Sequence, residues 1–404
     1  MIAVEASAPG KLVLLGDYAV LEGAPALGVA IDRRARARVV ATDDGVVGID
    51  ASDLGVLAAT ARLGTSGLEW SCEADVSSRL SLVESLCNGL AERGLLAAGQ
   101  GFHIELDTSG FFTKVEGARH KLGLGSSAAL TVALASALAC AGGHDERVAD
   151  QKRWLGGLLE LHRAWQGGQG SGVDIAASLA GRFIRFEPGT GQHGSRERDV
   201  ASHPSMDARF RGHDVGGVDP GVAMRAMPNI ERLAWPPAGA SCLFLWSGQS
   251  VSTAGQLDRL AAWRDGDPAG YDRHMGALCR LAEQADQVLQ QDAATFVELV
   301  DAYSRALEDF ATASGIVIFT ARQLRAARLA REHGAAYKPC GAGGDFGVLV
   351  ADTPRRLDSA RRAIIADCPV PALSIDATGL VLDPPFIPTG PVLREARAAD
   401  PHRA

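Results

Sequence analysis

The chain has 404 residues, 47% hydrophobic and 22% charged, a globular composition long enough for two hydrophobic cores. Its formal charge of −8 gives no counterion-release advantage on DNA or RNA, so no nucleic-acid partner is expected. The same charge allows a locally basic pocket for a small phosphorylated ligand.

Residues 2–31 read as strand, turn, strand. Ala6-Ser-Ala-Pro-Gly10 is the turn, and Lys11-Leu-Val-Leu-Leu15 and residues 26–31 are apolar runs. Arg34, Arg36 and Arg38 alternate with small apolar residues, as in a half-exposed strand. Leu80, Leu82, Val83, Leu86 and Leu90 predict a helix over 79–93, and 102–107 return to alternation. Residues 122–143 carry no charge and are long enough to span a bilayer. They open with Gly and Ser and then turn alanine-rich, so a buried helix after a loop is expected, and no membrane partner. A helix over 147–165, a Gly-rich loop over 166–172, a short helix and a strand over 182–186 complete a first domain, 1–187.

Residues 188–230 are rich in Gly, Arg, His, Asp and Pro without sustained period, and are expected to be a disordered insertion. Its centre, Ser205-Met-Asp-Ala-Arg-Phe-Arg-Gly-His-Asp214, reads as a translated genomic repeat. A strand at 241–246, helices over 253–263, 271–290, 293–314 and 320–333, a strand–Gly loop–strand over 336–350 and a helix at 354–366 form a second domain, 231–385. A flexible tail, 386–404, follows. Strands and helices mixed in both halves argue for α+β in two domains. Seven cysteines lack metal spacing and read as reduced thiols; no basic-then-apolar leader is visible. A cytoplasmic location is expected.

Four motifs carry chemistry. Gly123-Leu-Gly-Ser-Ser-Ala-Ala129 places glycines and serines where a helix begins, so unpaired N–H groups face outward. Read alone, it is equally an N-capped helix after a flexible loop, and it is no Walker loop because no Gly-Lys-Ser/Thr closes it. Gly341-Ala-Gly-Gly-Asp345 between strands suits close backbone approach to a ligand, or a tight hairpin. Lys11, after Pro9-Gly10, can meet a phosphate; Asp174, in Gly170-Ser-Gly-Val-Asp174, can take a proton or cap a helix.

In this order the motifs resemble the GHMP kinase superfamily, which includes galactokinase, homoserine kinase, mevalonate kinase and phosphomevalonate kinase. The resemblance implies an N-terminal domain like ribosomal protein S5 domain 2 and a ferredoxin-like C-terminal domain, with ATP between them. Gly16-Asp-Tyr18, Lys121 before the loop, and Gly170-Ser-Gly-Val-Asp-Ile-Ala-Ala-Ser178 are most like the phosphomevalonate kinase branch. The resemblance implies Lys11 and Asp174 as catalytic. Gly123, Leu124, Gly125, Ser126, Ser127 and Ala128 would hold the ATP phosphates, and Ser127 the Mg2+. Tyr18, Lys121, Ser171, Gly341, Ala342 and Gly343 would contact the acceptor, a phosphorylated small alcohol with mevalonate 5-phosphate the first choice. Mevalonate or another alcohol as acceptor, or an ATP-binding sensor without turnover, are the alternatives, and a homodimer is left open. Two departures stand out. Cys340 occupies the place of a serine and one glycine is missing from the third motif; Arg163 falls where mevalonate kinases have a magnesium-binding glutamate, with Glu160 nearby.

Overall fold

The structure, a computed structural model, describes residues 3–115, 117–168, 170–189, 227–248, 253–365, 373–383 and 394–395. The repeat-like segment 205–214 and most of the expected insertion and tail lie outside them.

The chain begins with β1 (Ala3–Leu15), β2 (Ala26–Thr42), β3 (Val47–Ala51), β4 (Val56–Gly64) and β5 (Gly67–Trp70). Helices α1 (Ala74–Arg79) and α2 (Ser81–Glu92) lead to β6 (Gly101–Asp107) and a hairpin, β7 (Phe112–Val115) and β8 (Ala118–Lys121). Next come α3 (Ser126–Ala141), α4 (Asp145–Ala149), α5 (Gln151–Trp165), α6 (Val173–Ala180) and β9 (Phe183–Glu187). The second half runs β10 (Asn229–Leu233), β11 (Ser241–Trp246), α7 (Thr253–Gly266), α8 (Pro268–Glu283), α9 (Ala285–Val288) and α10 (Ala293–Ser314). It ends with α11 (Ala321–Glu332), β12 (Ala335–Pro339), β13 (Phe346–Ala351), α12 (Pro354–Ile364), β14 (Val381–Asp383) and β15 (Arg394–Glu395).

Two sheets organise this α+β fold. The larger is mixed and ten-stranded, with β2 at its centre paired to β1, β6 and β9. The smaller is antiparallel, in the order β11-β13-β12, packed against α10, α11 and α12. Its connectivity, strand, helices, two strands, helix, is the beginning of a ferredoxin-like unit. Residues 366–372, directly after α12, are not among those described, and the next described strand, β14, joins the larger sheet.

Three expectations need correction. Pro9-Gly10 is not a turn, because β1 is one strand from Ala3 to Leu15. The two residues mark a register shift against β2. A side chain at Gly10 would meet Leu124 O at 2.6 Å, so the irregularity is where another segment of backbone crosses the strand. The linear division at 187 and 231 is also not how the sheets divide. β10 pairs antiparallel with β9, β14 with β1, and β15 lies parallel to β10, all within the larger sheet. Third, the arginine face of β2 is only partly solvated. Arg36 and Arg38 are exposed, whereas Arg34 bonds Asp376, Ser7 and the Gly379 carbonyl and clasps the returning C-terminal segment.

The uncharged run becomes α3. It packs on β1 and β2 with α2, α5 and α6 around it, and most of its residues are buried. A helix covered on all sides must be apolar all round, and alanine lets the sheet approach closely. Among the described residues no helix is long and apolar enough to cross a membrane.

Candidate active site

A cavity of about 750 Å³ opens between the N-terminal end of α3, the end of β1, the loop before α6 and the loop joining β12 to β13. That size suits a small-molecule site.

The α3 loop forms its floor. Gly125 holds the N-cap with φ +74°, a left-handed conformation that glycine adopts without strain. The first intrahelical bond runs from Ala129 N–H to Gly125 O at 3.1 Å, so the amides of 126–128 precede the helix's own ladder. These amides and the helix dipole favour an anion. Gly123 is pressed from the other side. A Cβ there would lie 1.8 Å from Asp345 Oδ2, so the loops of the two domains touch at a point only glycine fits.

β1 delivers Lys11. Its N–H donates to Leu124 O at 2.8 Å, stitching the strand to the loop. The aliphatic stem lies along Gly125, and Nζ would be 3.8 Å from a methyl on Gly341. Lys11 therefore runs between the two glycine loops. Just beyond, Asp17 and Lys338 form an ion pair with neither side chain exposed. Burial pushes the Asp17 carboxyl up, against the pull of the Lys338 ammonium. Tyr303 donates to the Asp17 carbonyl at 2.7 Å. Tyr18 is buried and donates to Ala342 O at 2.8 Å, so its hydroxyl is spent on holding the third loop.

Asp174 lies in the first turn of α6 and lines the cavity. One oxygen accepts from Ile175 N–H at 3.0 Å; the other is 3.9 Å from Nε2 of His162. His162 is buried and bonds Thr131 Oγ1 on α3 through Nδ1 at 2.8 Å. Burial holds its pKa below the ordinary histidine value, with Asp174 opposing. The half-buried Arg163 also feels the Asp174 charge. Glu160 is turned away, exposed and paired with Arg93 at 3.0 Å.

The cavity thus gathers Lys11, Tyr18, Lys121, Gly123, Gly125, Ser126, Ser127, Ser171, Asp174, Gly341 and Ala342. Three expected residues do not line it. Leu124 and Ala128 turn their side chains into the core, because the loop offers its backbone and not these side chains. Gly343 is buried and borders a small void on the far side of the third loop. Cys340 lies there too, its thiol pushed up to about 12 chiefly by burial, which makes it a packing residue and not a nucleophile. Sequence reasoning missed Asp17, His162, Trp165 and Asp345. Asp17 and Asp345 stood inside quoted motifs without being given a role; His162 and Trp165 carry no local signal.

A helix start with free amides, a lysine crossing it and a facing carboxylate in one cavity are the arrangement expected of an ATP-dependent small-molecule kinase. Residues 81–182 match the family described as GHMP kinases N terminal domain. The phosphomevalonate kinase of Streptomyces sp. (strain CL190) is 28% identical over 362 residues, covering 87% of this chain and 90% of that protein. The mevalonate kinase of Thermococcus onnurineus (strain NA1) is 29% identical over 197 residues, 47% of this chain and 53% of that one. In fold, the chain is similar to the solved Streptococcus pneumoniae phosphomevalonate kinase in complex with phosphomevalonate and AMPPNP, at TM-score 0.60 and 19% identity, covering 93% of this chain and 100% of that one. Residues 81–182 thus match the N-terminal domain of the GHMP kinases, and nearly the whole chain is similar to a phosphomevalonate kinase of that superfamily.

Proposed function

We propose that this kinase transfers the γ-phosphoryl group of ATP to mevalonate 5-phosphate, giving mevalonate 5-diphosphate and ADP. The observation that carries the reading is Lys121. It stands exposed at the end of β8, lining the cavity just before the phosphate loop, where a second cation suits an acceptor with a phosphate of its own. The match to the Streptomyces phosphomevalonate kinase supports it, since it runs nearly the whole length of both chains.

The backbone of 123–128 holds the ATP phosphates in this reading. Lys11 offsets the charge that develops between donor and acceptor, and electrostatics with positioning supply most of such catalysis. The acceptor oxygen belongs to a phosphate ionised at neutral pH, so Asp174 positions a proton or the metal in place of acting as a strong base. The Ser127 hydroxyl, in the first turn of α3 and lining the cavity, would take a coordination place on Mg2+ arriving with the ATP phosphates. Bound there, Mg2+ would neutralise phosphate charge.

A coupled ADP-release assay with mevalonate and with its 5-phosphate tests the acceptor. Turnover on the 5-phosphate alone is expected. Preference for mevalonate would overturn the reading in favour of the unphosphorylated acceptor, and ATP binding without turnover on any alcohol would favour a sensor.

A further inference from the structure

Asp174 stands near the start of an eight-residue helix that follows a glycine-rich loop. Among the described residues, only one of its oxygens accepts a hydrogen bond, the short reach from Ile175 N–H. The other faces His162 Nε2, a buried ring nitrogen that has no hydrogen-bond partner. Leaving such an atom unsatisfied is costly, and its distance of 3.9 Å from Asp174 is within reach of a small side-chain rotation. Catalytic hydrogen bonds are commonly long before ligands bind and tighten in the complex.

We propose that His162 is a positioning residue for Asp174, its ring set by Thr131 so that Nε2–H is offered to the carboxylate when ligands close the cavity.

The tautomer follows from the partners. If Thr131 donated nothing to Nδ1, the proton would sit on Nδ1 and Nε2 would turn a lone pair toward a carboxylate. With the Thr131 hydroxyl donating to Nδ1, Nε2 carries the proton and meets the carboxylate as a donor. Asp174 on α6 and Arg163 on α5 are the charged groups around this contact, and α3 contributes only the uncharged Thr131. The depressed basicity of His162 keeps the ring a neutral donor.

The arrangement also links two parts of the site. Thr131 lies one turn after Ser127 on α3, the helix that begins with the phosphate loop. A displacement of that helix start is passed through Thr131 and His162 to Asp174. His162 on this account does the orienting beside a position, Arg163, where the family resemblance suggests a glutamate.

The inference rests on Asp174 being the working carboxylate, so both are tested in the full chain. Asp174→Asn comes first. If it keeps full turnover, the role of Asp174 fails and the inference with it. If Asp174→Asn is inactive, His162→Leu is expected to lower kcat by about 10- to 100-fold with little change in KM for ATP, the scale of a misplaced catalytic group. His162→Gln, whose amide can donate from nearly the same place, should recover most of the loss. Normal kcat in His162→Leu, or no recovery with Gln, overturns the inference alone. Should His162→Leu fail to fold, Thr131→Val removes only the orienting hydroxyl and is expected to lower kcat; unchanged kcat there overturns the proposal. In 15N-histidine-labelled protein, His162 should show a neutral, Nε2-protonated ring whose Nε2 signal shifts in Asp174→Asn. An Nδ1-protonated ring, or no response, counts against it.

Discussion

Lys11 reaches the cavity from inside a strand. β1 is paired on both sides near its start, and Lys11 itself is tied to the phosphate loop through its own N–H. Its charge is thus carried by a rigid element, and the side chain is the part that can be altered without disturbing the backbone. Lys11→Met should fold normally by circular dichroism and lose at least about 100-fold in turnover, the scale of one lost charge-stabilising group. Near-normal kcat would exclude it from the reaction. The residues that can be read from sequence are those with their chemistry in a short local pattern: Lys11, Ser127 and Asp174. Asp17 stands in the Gly16-Asp-Tyr18 motif, but its role is not readable there, because the partner that explains it, Lys338, is 321 residues away. His162 sits in a helix whose spacing is satisfied by its apolar neighbours, so nothing in the sequence separates it from an ordinary core histidine.

At the scale of elements, the ion pair Asp17–Lys338 joins the end of β1 to β12 and so fixes one glycine loop against the other. Both charges are fully buried, so removing one partner leaves the other without compensation. Lys338→Met should cost about 3–5 kcal/mol of stability in urea denaturation. Asp17→Asn with Lys338→Met should cost less than the sum of the two single changes, and strict additivity would show that the pair does not couple. α3 was legible as a buried helix because an uncharged, alanine-rich run has few other uses. Pro-Gly usually punctuates a turn, and only the crossing of Leu124 over Gly10 shows why Pro9-Gly10 stands within a strand.

The whole molecule is less sequential than its sequence. β9 and β10 face each other in register, Glu187 opposite Asn229, so everything between them closes a single antiparallel connection. Its length does not set the geometry of the strands it joins. Replacing 191–217 by a short glycine-serine link should therefore leave kcat unchanged, and a folded but inactive deletion would assign that segment a role in the site. The return of β10, β14 and β15 to the first sheet was not legible, because a short strand carries no mark of which sheet completes it.

The pairing of β14 with β1 has one more consequence. The two strands run antiparallel with Glu5 opposite Asp383, so Ala3 and Asp383 stand as the ends of a hairpin that lacks only its turn. The backbone is nearly a closed ring. A circular permutant that joins Asp383 to Ala3 through about four residues and opens the chain between 189 and 227 keeps every strand pair described here except the one made by β15. Such a protein should phosphorylate the same acceptor at a similar rate. Its new ends would lie on one edge of the larger sheet, available for fusion to a second enzyme.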